Sequence, residues 1–113
     1  MIRHIRGKIV EVGTGSVVVE VFGLGVEVKV PYPESCVLGT EATLATHLAV
    51  KQDPEIYGFL DAADRDFFEL ILSVPGIGPK TALHVLRRAS RESIRGAIGT
   101  RDLGYLTKVV GLG

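Results

Sequence analysis

The chemistry in this sequence is concentrated in Val74–Leu83, which reads VPGIGPKTAL. Gly76 and Gly78 accept backbone angles that other residues resist, so the chain can double back tightly here. A bend of that kind leaves main-chain N–H groups without partners. Pro79 is favoured in the first turn of a helix, where the leading amides have no intrahelical acceptor either. Together these donors, assisted by the positive end of the helix dipole, form a socket for a phosphate oxygen. Lys80 adds a full positive charge in the same turn, and Ile77 is placed to plug into the flanking helix pair and hold the bend. The bland alternative is a helix–helix connection with glycine caps.

The helices that must position this bend are visible in the flanking periodicity. Asp61 is a plausible N-cap, and Phe67, Phe68, Leu70, Ile71 and Val74 form one apolar face that stops at Pro75-Gly76. Ala82, Leu83, Val85 and Leu86 make the corresponding face of the next helix. An apolar helix, GIGPK and a second apolar helix look like a helix-hairpin-helix DNA-binding motif. Such a motif grips the sugar–phosphate backbone, so binding is expected to be independent of sequence and sensitive to salt. Ser90 and Thr100 are candidate caps for a third and a fourth helix. Near the C-terminus, LTKVVGLG parallels LSVPGIG, so that Gly111 matches Gly76 and Gly113 matches Gly78. Two such hairpins can take one backbone each across a minor groove. The chain stops where the second cation should follow, so the second motif reads as truncated and the chain as a fragment.

The first sixty residues have a different period. Ser16–Phe22 is rich in β-branched residues, and Gly25–Val30 alternates Val26, Val28 and Val30 against Glu27 and Lys29. Ile2–Val12, Glu41–Lys51 and Glu55–Leu60 complete five expected strands. The turns fall at Gly13-Thr14-Gly15, at Phe22–Gly25 and at Gln52-Asp53-Pro54. Gly7 suggests a bend or bulge within the first strand, and Leu44, Leu48 and Val50 are expected on one face of the fourth. Five strands in so short a span predict a small barrel, because closure removes exposed edges. The expected fold is therefore mixed, β then α: a five-stranded barrel over residues 1–62 and an all-helical unit over residues 63–113.

Composition narrows the functions open to such a chain. At 113 residues with 46% apolar and 23% charged side chains, it is globular and too small for a deep catalytic cavity. Thirteen basic residues balance thirteen acidic ones, which excludes a globally basic nucleic-acid binder. The charges are nevertheless divided, with five basic and seven acidic in residues 1–60 against eight and six in residues 61–113. Arg87, Arg88, Arg91 and Arg95 contribute to that second half, as a solvated helix face or as further phosphate contacts. Cys36 has no partner for a disulfide, which favours a reducing compartment and a small packed side chain over a nucleophile. No apolar run is long enough to span a membrane, so the expected setting is cytoplasmic. His4, His47 and His84 lack metal-ligand spacing, no phosphate-binding GxxxxGK[ST] loop occurs, and no residue set calls for a cofactor. The three Tyr and four Phe are expected mostly in the core. The residues alone leave three classes open: a DNA-binding module, a hairpin-containing nuclease and an assembly domain.

Four segments in order, MIRHIRGKIVEV, VFGLGVEVKVP, THLAVKQDPEIYGF and FFELILSVPGIGPKTAL, resemble the RuvA family of bacterial Holliday-junction-binding proteins. The likeness covers essentially the whole chain. It implies an oligonucleotide/oligosaccharide-binding (OB) barrel followed by helix-hairpin-helix units. It further implies a homotetramer whose concave basic face holds an open four-way junction during branch migration in recombination and repair, including the SOS response to DNA damage. The family's partner is the hexameric ATPase RuvB, bound through a C-terminal domain expected to be absent from this chain; the family acts as the DNA-binding subunit, and the chain is expected to have no catalytic site of its own. The family also places an acidic pin before the last barrel strand, where carboxylates repel phosphates at the junction centre. The matching positions are Gln52 and Asp53, where the usual pair is Glu-Asp, and Glu55 is close enough to add charge.

Overall fold

The computed structural model describes residues 1–100. In chain order they form strands β1 (His4–Val12), β2 (Ser16–Val21), β3 (Leu24–Lys29), β4 (Glu41–Ala49) and β5 (Glu55–Phe59), then helices α1 (Ala62–Leu72), α2 (Pro79–Arg88) and α3 (Arg91–Thr100). The chain divides into two compact units, Met1–Ala62 and the residues from Ala63 onward. The expected fourth helix, with Gly111 and Gly113, lies outside the described residues.

The first unit is a closed barrel of order β1-β2-β3-β5-β4. Its pairs are antiparallel except at one seam, where β3 meets β5 in parallel through Lys29 and Tyr57. This is the strand order of an OB fold. Alternation in the sequence becomes an inside and an outside: Ile5, Ile9, Val17, Val19, Val28, Val30 and Leu44 form one buried cluster. Thr46, fully buried, donates its Oγ1–H to the Ile2 carbonyl at 2.7 Å and its N–H to that of Arg3 at 2.9 Å. Those bonds satisfy a polar group inside the barrel and fasten the N-terminal residues to β4.

Several local expectations are corrected. The register of β1 against β2 shifts between Ile9 and Glu11, so the bulge falls at Val10, whereas Gly7 pairs regularly with Ala42. Gly7 is required for another reason: a Cβ there would stand 2.3 Å from the Glu20 carbonyl oxygen. Phe22 leaves β2 and forms a two-residue turn with Gly23, at φ of 50° and 83°. Positive φ at both positions matches the twist of a tight hairpin. It also carries Phe22 out of the core into full exposure. Val50, expected on one face of β4 with Leu44 and Leu48, lies past the end of that strand and is 75% exposed.

In the second unit, Phe67, Phe68 and Ile71 of α1, Ala82, Val85 and Leu86 of α2, and Ile94 and Ala97 of α3 are buried. The cap on α3 is as expected: Ser90 Oγ accepts from the Ser93 N–H at 3.0 Å. Asp64, buried, accepts from the two terminal guanidinium nitrogens of Arg91, at 2.5 and 3.3 Å. A fork of this kind fixes angle as well as distance, so it ties the start of α3 to α1.

Candidate nucleic-acid interface

The hairpin between α1 and α2 is built by residues with distinct tasks. Helix α1 closes with tightened bonds, Ser73 N–H to the Leu70 carbonyl at 3.1 Å and Val74 N–H to that of Ile71 at 3.0 Å. The Ser73 hydroxyl also donates to Leu70, at 2.5 Å. The chain then turns over Val74-Pro75-Gly76-Ile77, with the Ile77 N–H returning to the Val74 carbonyl at 3.2 Å. Proline second and glycine third, the latter at φ 84°, is the composition of a type II turn. Gly78 is extended and serves as the N-cap of α2 without a side-chain bond, and Pro79 occupies the first turn.

This construction decides which donors remain. Ile77 spends its amide on the turn and is half-buried. Among the described residues, the amides of Gly76, Gly78, Lys80 and Thr81 have no hydrogen-bond partner. All four residues are exposed. A Cβ placed on Gly76 or Gly78 would meet nothing within 4 Å, so a ligand has open access to the main chain there. Lys80 stands in the first turn of α2 beside these donors. The site is thus a cluster of N–H groups at a helix N-terminus with one ammonium added, which is chemistry suited to a phosphate diester. Arg87, Arg88, Arg91 and Arg95 are all exposed, and Arg91 is bridged to Asp64. That bridge gives Arg91 a structural task that the helical spacing of the arginines did not reveal.

Gln52 and Asp53 belong to the other unit, in the exposed loop between β4 and β5. No hydrogen bond or ion pair to a described residue engages Asp53. Glu55 is different. One of its carboxylate oxygens meets the Lys29 ammonium and accepts from the Tyr57 hydroxyl at 3.0 Å, and the other is 3.1 Å from Lys51 Nζ. Hydrogen bonds from Lys29, Lys51 and Tyr57 hold the Glu55 carboxyl down to about 2. Burial, together with the hydrogen bond to Glu55, pushes the Tyr57 phenol up to about 12. The carboxylate expected to reinforce the pin is therefore neutralised by its own neighbours. Sequence reasoning missed this because Lys29 joins the cluster only through the closing seam of the barrel.

Cys36 is half-buried, and burial followed by the charge of Glu34 pushes its thiol up, away from a reactive thiolate. Among the described residues, no group of three His, Cys, Asp or Glu side chains could hold a metal ion, and no helix is long and apolar enough to cross a membrane.

Fold and site together define a class, an OB barrel followed by a helix-hairpin-helix unit. Residues 1–58 match the family described as RuvA N terminal domain, and the chain belongs to that family. Similar proteins include one of Herpetosiphon aurantiacus at 40% identity, one of Marinobacter nauticus at 38% and one of Lactococcus lactis subsp. lactis at 35%. Each is named Holliday junction branch migration complex subunit RuvA. The matches take in 100% of this chain and 56–59% of each relative, so the chain spans little more than half their length.

Proposed function

We propose that the chain binds four-way junction DNA by shape, without reading bases, as the DNA-binding part of a RuvA-type branch-migration complex. The observation that carries this reading is the exposed Gly76–Lys80 hairpin, whose amides beside Lys80 have no partner among the described residues, in a chain of this family. Gly76, Gly78 and Lys80 hold a backbone phosphate, and Ile77 keeps the turn in shape. The parallel of LTKVVGLG with LSVPGIG in the sequence makes Gly111 and Gly113 the candidates for a second phosphate contact. Asp53, with Gln52 beside it, presents the pin.

Selectivity for a junction over a duplex comes from assembly. One phosphate clamp is weak and blind to DNA shape, but four clamps in a homotetramer engage only a substrate that offers phosphates in the matching geometry. The barrel has surface available for assembly: Phe22 and Leu24 are exposed and line an apolar groove with Ile2, Val26 and Ile56. An exposed apolar face of this kind marks a contact site. The protein performs no chemistry on DNA, and the RuvB ATPase supplies the motion in the complete complex. The single cysteine fits a reducing, cytoplasmic setting.

A gel-shift titration comparing a four-way junction with linear duplex and single strands of the same sequence tests the reading. Preference for the junction by at least an order of magnitude is expected. Equal affinities would favour a generic OB/helix-hairpin-helix module, and cleavage on adding magnesium would indicate a nuclease.

A further inference from the structure

The geometry points to Glu55 as a positioning residue that withholds Lys29 and Lys51 from DNA, leaving Asp53 as the charge the β4–β5 loop presents. This inference rests on the junction-binding reading above. The loop and the seam beside it carry two cations, Lys29 and Lys51, and two carboxylates, Asp53 and Glu55, so their formal charge is zero. Their arrangement is far from even. Glu55 engages both lysines at once, one oxygen to each, while Tyr57 donates a hydrogen bond from below. Asp53 is exposed and engages no described residue.

The consequence concerns the DNA. Lys29 and Lys51 keep 40% and 48% of their side-chain surface exposed, so each is able to swing to a phosphate if its carboxylate partner is lost. A lysine reaching a phosphate releases counterions and steepens the salt dependence of binding by about 0.9 per contact. Glu55 thus prevents the loop from becoming a cationic patch that would attract the strands it is placed to repel. Gln52 is neutral, so apart from Glu55 only Asp53 offsets the two ammonium groups.

The test separates this role from simple charge. Glu55→Gln and Asp53→Asn remove the same unit of negative charge, so a purely through-space effect gives equal changes in junction affinity. Release of the lysines predicts that E55Q tightens junction binding by about fivefold at 0.15 M salt for each lysine freed, more than D53N does, and with a steeper salt slope. Adding Lys29→Gln and Lys51→Gln to E55Q should cancel the gain. In the free protein, spectrophotometric titration should show the Tyr57 phenol of E55Q ionising below the wild-type value.

A second, exposed substitution guards against loss of fold at the seam. Lys51→Gln alone should leave junction affinity within about twofold of wild type, because Lys51 is already occupied. Equal effects of E55Q and D53N, or a severalfold loss in K51Q, would overturn the inference while leaving junction binding intact. Failure of the wild-type chain to prefer a junction would overturn the functional reading itself, and this one with it.

Discussion

The two loops singled out by the sequence treat their polar groups in opposite ways. Beside the β4–β5 loop of the barrel, every charge but that of Asp53 finds a partner within the molecule: Glu55 binds Lys29, Lys51 and Tyr57. In the α1–α2 hairpin, amides and an ammonium find no partner among the described residues. Satisfied groups at a barrel seam hold the fold together. Unsatisfied donors gathered at a helix N-terminus, in a hairpin whose shape a proline and a positive-φ glycine already fix, are available for an anion. The contrast teaches that charge type is a poor guide to function unless one knows whether the charge is already spent.

Glycine substitutions break this comparison most sharply. Gly7→Ala drives a Cβ onto the Glu20 carbonyl oxygen and should cost the barrel about 3 kcal/mol, read by chemical denaturation, with DNA affinity of the folded fraction unchanged. Gly76→Ala should cost only about 1 kcal/mol, since it meets open space and suffers chiefly from its φ of 84°. Junction affinity should nevertheless fall by at least about tenfold as the turn re-forms with its amides misdirected. A G76A protein that binds normally would remove the hairpin from the site.

Lys80→Ala sharpens the comparison further. Melting temperature should not change, while affinity falls by about fivefold at 0.15 M salt and the salt slope drops by about 0.9 per hairpin engaged. The same loss on every DNA sequence is expected, because a phosphate contact carries no base information.

The smallest effect is one of pH, and it belongs to the barrel alone. Glu55 titrates near 2 in the fold against an ordinary 4.5, so its contribution to stability is fully present above pH 4.5 and decays as pH falls towards 2. The Tyr57 phenol, raised from 10 to about 12, stabilises the fold below pH 10 and loses that contribution as pH rises through 12. Thermal melts across both ranges should show E55Q with a flatter acid limb than wild type.

Much of this was legible in the residues. Alternating valines specify strands because the side-chain period of a strand is two, and the apolar face of Phe67, Phe68 and Ile71 specifies a helix because its period is 3.6. Val-Pro-Gly-Ile specifies a turn because proline sets one angle and glycine alone accepts the next cheaply. Ser90 capped α3 as its position foretold, through a bond spanning three residues. All of these are local rules, in which the deciding neighbours lie within a turn or a strand pair.

Other features depended on residues far apart in the chain. The Lys29–Glu55 contact exists only because β3 and β5 close the barrel. The Asp64–Arg91 fork needs α1 and α3 to meet, and the bulge at Val10 answers to strand pairing across β1 and β2. Phe22 had an aromatic's usual claim to the core and lost it to the handedness of its turn. Residue order alone set where the chain would be strand, helix and bend, and which bend had spare donors. Only tertiary structure decided which charges were left to act, since an ionic group's availability depends on what folding brings within about 3 Å of it.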